Sequence, residues 1–123
     1  MAETEPTVAM FEITGQDGEA LQRFYGDLFA WQIRPGVFGS GYGLVPPAAP
    51  GIGGGVGTSQ HGVGGHVTVY VEVADVAAYL ARAEELGGRT VLPPTEIPQA
   101  GRTFAFFADP DGNVVGLSHG VLG

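Results

Sequence analysis

The sequence predicts an α+β fold in which a module of strand, helix and three strands (βαβββ) occurs twice. Runs of alternating apolar and polar residues indicate strands, and two segments with apolar residues at helical spacing each follow an aspartate suited to cap a helix. The stretches GDLFAWQI and EELGGRTV occupy equivalent places in the two halves, 58 residues apart. Because neither half is long enough to bury a core by itself, an internal duplication is the best single explanation.

Module one covers about residues 7–57, and a short tail at residues 1–6 precedes it. Its first strand is predicted at residues 8–13, where apolar and polar residues alternate. A helix follows the cap residue Asp17, and its apolar positions, with their aromatic members expected in the core, are Leu21, Phe24, Tyr25, Leu28 and Phe29. Short strands are then predicted in WQIRPGVF and GYGLVPP, and a last strand at residues 51–57 carries only glycine on one face.

Module two covers residues 66–120 and follows a polar, glycine-rich connector at 58–65, so that one domain spans residues 7–120. Strict alternation in HVTVYVEV predicts a strand, and the helix that follows is capped by Asp75 and ended by Gly87 and the glycine after it. Strands in RTVLPP, RTFAFFA and NVVGLSH complete the module.

The composition excludes several classes of function. The formal net charge is −8, from 13 acidic residues and 5 arginines, so the chain lacks the basic surface that nucleic acids or anionic membranes require. It has no cysteine, which excludes disulfides and zinc–thiolate sites. The acidic N-terminus has no apolar signal core, so we expect a cytoplasmic protein with neither nucleic-acid nor membrane partners.

Three short motifs stand in an order and at spacings that are typical of one protein family. They are Phe24-Tyr25 in the first helix, Gly65-His66 at the start of module two, and the turn DPDGN at residues 109–113. With the paired modules, they make the chain resemble the vicinal oxygen chelate superfamily of glyoxalases, bleomycin-resistance-type proteins and extradiol dioxygenases. The resemblance covers residues 7–120 and implies a curved mixed β-sheet that forms a cleft, with the helices outside. It also implies a homodimer.

In metal-dependent members, the resemblance implies a divalent ion held by His and Glu side chains from the first and last strands of each module. Carried over to this sequence, the ligand positions fall at Met10, at His66, at Gly116 and within residues 51–57. His66 is the only one that retains a typical ligand, and metal sites generally take three or four protein donors. We therefore predict no cofactor and no standard metal site. The glycines at the emptied positions are interpreted as giving the cleft volume.

Glu12 and His66 are the candidate catalytic residues. Alternation places His66 on one face with Thr68, Tyr70 and Glu72, and Glu12 lies in the corresponding row of module one. A carboxylate and an imidazole in a cleft can form a proton-transfer pair. The alternative is that both side chains only satisfy hydrogen bonds in a polar wall.

These observations favour a metal-independent, bleomycin-resistance-like protein that binds an apolar or aromatic metabolite or antibiotic in the cleft. One alternative is an isomerase, cyclase or lyase that uses Glu12 and His66 without a metal. Another is a glyoxalase-like or dioxygenase-like enzyme in which His66 recruits a divalent metal; whether turnover occurs stays open. The predicted ligand-binding residues are Met10, Glu12, Thr14, Tyr42, His66, Thr68, Tyr70, Phe104, Phe106 and Gly116.

Overall fold

A computed structural model describes residues 6–36, 41–60 and 64–120, so most of the predicted tail and part of the connector lie outside the described residues. The described chain contains seven strands and two α-helices. In chain order these are β1 Thr7–Gly15, α1 Gly18–Phe29, β2 Tyr42–Val45, β3 Gly53–Thr58, β4 Val67–Glu72, α2 Val76–Glu85, β5 Arg89–Ile97, β6 Arg102–Ala108 and β7 Val114–His119. No helix in these residues has the length that crossing a bilayer requires.

Both helices begin where the sequence predicts. The side chain of Asp17 accepts a hydrogen bond of 3.0 Å from the backbone N–H of Ala20, and Asp75 accepts one of 3.1 Å from Ala78. Each bond satisfies one of the N–H groups that the first turn of a helix leaves without a partner. The cap positions are 58 residues apart, so the local structure repeats at the spacing of the sequence duplication.

The strand predicted in WQIRPGVF is wrong for the part of it that the structure describes. Only Arg34 pairs there, through two backbone hydrogen bonds with Leu44 in an isolated antiparallel bridge. Pro35 then lacks an N–H to donate, and Gly36 has a φ of 77°, a left-handed conformation that ends an extended chain. The rest of the predicted strand lies outside the described residues.

The aromatic side chains of α1 depart from the core position expected of them. Phe24 and Phe29 are 58% and 52% exposed, and Leu28 is 58% exposed. Only Tyr25 among the aromatic members is partly buried, which shows that the apolar arc of α1 is wider than the surface that covers it.

The described chain divides into two compact units. The N-terminal unit comprises residues 10–68, and the C-terminal unit comprises residues 6–9 with residues 69–120. In the N-terminal unit, β3 lies between β2, to which it is antiparallel, and β1, to which it is parallel. The backbone of His66, just before β4, exchanges hydrogen bonds of 2.8 and 3.1 Å with Thr14 of β1.

In the C-terminal unit the strands follow the order β4-β7-β6-β5, with β4 and β7 parallel and the other pairs antiparallel. Helix α2 packs on one face of these strands. The buried apolar cluster that joins the helix and the strands consists of Val73, Val76, Leu80, Ala105 and Leu117.

The strand register repeats between the modules. Glu12 of β1 pairs with Gly55 of β3, and Tyr70 of β4 pairs with Gly116 of β7, in the same parallel arrangement of a module's first and last strands. By this correspondence Met10 matches Thr68, not His66, because each lies two residues before its paired position.

Candidate functional site

A buried polar cluster lies in the N-terminal unit and consists of Glu12, Tyr42 and His66. The hydroxyl of Tyr42 donates to Glu12 Oε2 at 2.6 Å, and His66 Nε2 lies 2.7 Å from Glu12 Oε1. Glu12 is 6% exposed and Tyr42 is 8% exposed. Both carboxylate oxygens are thus hydrogen-bonded in a place largely shielded from water, where such bonds are stronger than at the surface.

Glycine in β3 is what allows Tyr42 to reach Glu12. Tyr42 belongs to β2 and Glu12 to β1, so the phenol must cross the intervening strand β3. A Cβ atom at Gly55 would overlap the Tyr42 hydroxyl, and one at Gly57 would lie 2.6 Å from Tyr42 Cα. Any other residue at these positions would block the ring, and the polar cluster depends on the bare face of this strand.

The same contacts correct the interpretation of the glycines as open volume. Tyr42 covers Gly55 and Gly57, and in the C-terminal unit a Cβ at Gly116 would lie 2.5 Å from Tyr70 Cδ2. Gly55, Gly57 and Gly116 are therefore covered by aromatic rings within their own units. Sequence alternation identified the bare face but did not predict which neighbouring side chain would cover it.

The hydrogen bonds assign the tautomer of His66. An ionised carboxylate only accepts hydrogen bonds, so a neutral His66 carries its proton on Nε2 and donates it to Glu12. The lone pair then resides on Nδ1, which is the basic atom of the ring. Nδ1 itself is buried in this structure. The backbone N–H of His66 also donates to Thr14 Oγ1 at 3.2 Å, which fixes the approach of the ring.

The remaining predicted residues of the N-terminal unit are Met10, Thr14 and Thr68. Met10 is 2% exposed and pairs with Gly53 of β3, and Thr68 is buried on β4. The structure thus brings Glu12, Tyr42, His66 and Thr14 into hydrogen-bonded contact.

The other predicted residues form an aromatic cluster in the C-terminal unit. The ring centroid of Tyr70 lies 6.4 Å from that of Phe104 and 5.4 Å from that of Phe106, and the two phenylalanines are 6.0 Å apart. Such tilted and edge-on pairs are the favoured arrangements of aromatic rings.

Sequence reasoning missed Arg102 at this aromatic cluster. Its guanidinium carbon lies 5.2 Å from the Tyr70 ring centroid, and the residue is only 7% exposed. The signal was available, because Arg102 shares the alternation of Phe104 and Phe106 along β6. It was overlooked because a lone charged residue at the start of a strand is usually solvated.

The donor set of the polar cluster does not fit the metal that the family resemblance implies. It offers one carboxylate and one imidazole, whereas hard cations and zinc take three or more protein donors. The glycine positions that would supply further donors are covered by Tyr42 and Tyr70. Across residues 6–36, 41–60 and 64–120, no three His, Asp or Glu side chains converge on one point.

Sequence comparison finds a match to a family model described as a glyoxalase-like domain, over residues 10–118. The anthracycline biosynthesis protein DnrV of Streptomyces peucetius is 32% identical over 123 aligned positions, covering 85% of this chain and 43% of the relative. CFP32 of Mycobacterium tuberculosis, provisionally named as a glyoxylase, is 34% identical over 76 residues, covering 62% of this chain and 29% of the relative. This chain therefore spans less than half the length of either relative.

Solved structures show the same fold. A Mn(II)-bound glyoxalase from Novosphingobium aromaticivorans superposes with a TM-score of 0.64 and 12% identity, over 92% of this chain and 37% of that one. A Streptomyces coelicolor methylmalonyl-CoA epimerase superposes with a TM-score of 0.62 and 16% identity, over 97% of both chains. The predicted α+β fold of the vicinal oxygen chelate type is confirmed, while similarity at this level of identity carries no function.

Proposed function

Because the chain belongs to the family of glyoxalase-like domains, within the vicinal oxygen chelate superfamily, we propose that it binds an organic small molecule and moves a proton on it without a metal ion. His66 is the base, Glu12 is its charge partner and Tyr42 positions Glu12. The observation that carries this proposal is the 2.7 Å contact between His66 Nε2 and Glu12 Oε1 in a buried setting.

The proton balance of such a reaction needs only these residues. Because His66 Nδ1 is buried in this structure, the reaction requires a movement that exposes this atom to the ligand. His66 Nδ1 then accepts a proton from a carbon acid of the ligand, and the resulting imidazolium is paired with the Glu12 carboxylate. After exchange with solvent, the same nitrogen delivers a proton to another atom of the ligand, which regenerates the neutral ring. Isomerisation, cyclisation and elimination all proceed in this way, and the geometry does not favour one of them over the others.

An aromatic polyketide is the first ligand class to test. The support is the 32% identity to a protein named for anthracycline biosynthesis, since anthracyclines are polycyclic aromatic polyketides. Their carbonyl groups also acidify neighbouring C–H bonds, which is the property that a base such as His66 requires.

A second candidate is binding without turnover, as in bleomycin-resistance-type proteins. This candidate is favoured because both carboxylate oxygens of Glu12 already accept hydrogen bonds from neighbouring side chains. A carboxylate held in this way is also what a static polar wall requires.

Deuterium incorporation separates the two candidates. The protein would be incubated in D₂O with an anthracycline, binding followed by fluorescence quenching and incorporation followed by mass spectrometry. For an enzyme, we expect Glu12→Gln to retain binding and to lower the incorporation rate by about 100-fold, while the exposed control Glu19→Gln matches the wild type. If the wild type binds the anthracycline without incorporating deuterium, binding without turnover is supported. If it does not bind the anthracycline, aromatic polyketides are excluded as its ligands.

Metal independence and assembly need their own measurements. Elemental analysis that finds a stoichiometric divalent metal, together with loss of incorporation after chelation, would overturn the metal-free mechanism. The homodimer, the cytoplasmic location and the absence of nucleic-acid partners stay predictions. Sedimentation velocity over a range of protein concentrations tests the first of these.

A further inference from the structure

The C-terminal unit contains an apolar cavity that the proposed reaction does not use. Its volume is about 410 Å³, and it lies between α2 and the strands. Residues from β4, α2, β6 and β7 contribute to its wall, among them Val71, Val73, Ala83, Phe107 and Leu117. These strand residues alternate with Tyr70, Phe106 and Gly116, so the cavity and the aromatic cluster lie on opposite faces of the strands.

The cavity arises because the stripe of α2 residues that faces the strands has smaller side chains toward the end of the helix. Val76 and Leu80 fill the space under the first half of the helix and are 4% and 6% exposed. The next position on the same stripe is Ala83, which has only a methyl side chain, and the helix ends two residues later at Glu85. The second half of α2 therefore stands over a space that its own residues do not fill.

Module one carries aromatic residues at the corresponding sequence positions. Tyr25 and Phe29 lie 58 residues before Ala83 and Gly87, the same spacing that separates the two helix caps. The Tyr25 ring stacks on Phe29 with a centroid distance of 6.2 Å and on Trp31 with one of 6.1 Å. Module two has no aromatic residue at these positions, which is a specific difference between the two copies.

The charged groups at the rim are already paired within the chain. Arg82 donates to Glu85 at 3.0 Å. Asp109 accepts from the side chain and backbone of Asn113 and from the backbone of Asp111, each at 2.9 Å. A charged ligand would have to compete with these bonds, whereas a neutral apolar ligand gains from burial alone.

The volume sets the size of the occupant. A cavity of roughly 150 Å³ lined by apolar side chains accommodates one benzene ring. A cavity of about 410 Å³ therefore has room for two or three rings, and it falls within the range of small-molecule sites.

We propose that this cavity is a binding site for an uncharged, apolar small molecule of two or three rings, formed without Glu12 or His66. The site does not depend on the proposed reaction. Its ligand is recognised by shape and burial, and Tyr79 and Leu86, which are 37% and 63% exposed, border the mouth of the cavity.

The test uses N-phenyl-1-naphthylamine, an uncharged three-ring fluorescent probe, with the intact chain. We expect saturable binding at one site per chain, and chemical-shift changes on addition of probe at the methyl groups of Val71, Val73 and Leu117. Ala83→Tyr introduces the residue found at the corresponding position of module one, and its ring should occupy the cavity. We expect it to raise the dissociation constant of the probe by about tenfold or more. The control Ala81→Tyr places the same side chain on an exposed position of α2 and should leave the constant within about twofold.

Ala83→Leu serves as a smaller filling variant if Ala83→Tyr does not fold, and circular dichroism reports the folding of each variant. Absence of saturable binding, shifts confined to methyl groups elsewhere, or equal effects of the two tyrosine variants would overturn the proposal. Shifts of the same methyl groups with protein concentration, in the absence of probe, would identify a second copy of the chain as the occupant and would also overturn it.

Discussion

At the scale of single residues, glycines beneath aromatic rings organise both units. Gly55 lets the Tyr42 hydroxyl pass over β3 to reach Glu12, and Gly116 lies against the ring of Tyr70. The two glycines occupy equivalent register positions. A glycine inside a strand usually lowers stability, and here each is compensated by the packing of a ring that no other residue would admit.

We predict that Gly55→Ala destabilises the protein by about 1–3 kcal/mol, because its Cβ overlaps the Tyr42 hydroxyl and forces the ring to move. Urea denaturation measures the free energy of unfolding. The matched control is Gly64→Ala, since a Cβ at Gly64 meets nothing within 4 Å. A loss in the control as large as in Gly55→Ala would show that overlap with Tyr42 is not the cause.

We also predict that Tyr42→Phe removes one hydrogen bond from Glu12 while leaving the ring in place over Gly55. The free energy of unfolding should fall by about 1–3 kcal/mol, because a buried carboxylate loses a charged hydrogen bond. If His66 and Glu12 transfer protons, the rate of deuterium incorporation should fall as well. An unchanged rate with lowered stability would leave Tyr42 a purely structural role.

The pairing of Glu12 with His66 could be anticipated from alternation, but its geometry could not. Sequence pattern places Glu12 and His66 on corresponding faces of two strands. It does not specify the strand order, and the order β2-β3-β1 is what carries Tyr42 across to Glu12. The assignment of His66 to a family ligand position stays a prediction.

At the scale of elements, the turn between β6 and β7 is held by one aspartate. Asp109 accepts hydrogen bonds from the Asn113 side chain and from backbone N–H groups of Asn113 and Asp111. These bonds, the Asn113 side chain first, hold the pKa of Asp109 below its usual value of 3.8, and partial loss of water opposes them. The folded state therefore binds the proton of Asp109 less readily than the unfolded chain does.

We predict that this turn contributes stability above the ordinary pKa of Asp109 and loses it as pH falls through the lowered value. Asn113→Ala removes the largest cause of the shift. The variant should be less stable than the wild type at neutral pH, and the difference should narrow in acid. Thermal unfolding from neutral pH to about pH 2.5 measures this, with Gln32→Ala as an exposed control. A difference that does not depend on pH would contradict the role of Asp109.

Element boundaries were most predictable where chemistry is local. Asp17 and Asp75 mark helix starts because the cap bond involves residues only three positions apart. The strand expected before Pro35 failed because a strand exists only if a neighbour pairs with it along its length, and Arg34 finds a partner at one position. The exposure of Phe24 and Phe29 could not be predicted either, because helical spacing defines an apolar face but does not specify which residues cover it.

At the scale of the whole molecule, the dominant feature is the formal net charge of −8. Unbalanced charge of this size opposes compaction, because like charges are closer together in the folded state than in the unfolded chain. With only five arginines, the chain has few cations to offset it. Screening by salt should therefore favour the folded state.

We predict that the melting temperature rises by roughly 2–5 °C between about 20 and 200 mM NaCl. A variant with Glu19→Gln and Glu96→Gln, both on exposed positions, should show a smaller rise because it carries less net charge. Differential scanning calorimetry provides the comparison. Equal salt dependence in the two proteins would assign the effect to specific ion binding.

The amino-acid sequence by itself determined the α+β class, the duplication, the helix caps and the family, because these depend on periodicity and short motifs along the chain. Only the tertiary structure decided that Tyr42 bonds Glu12, that aromatic rings cover the bare glycines and that α2 leaves a cavity under Ala83. These facts depend on which strands are neighbours and in what register, and register is set by the packing of whole elements.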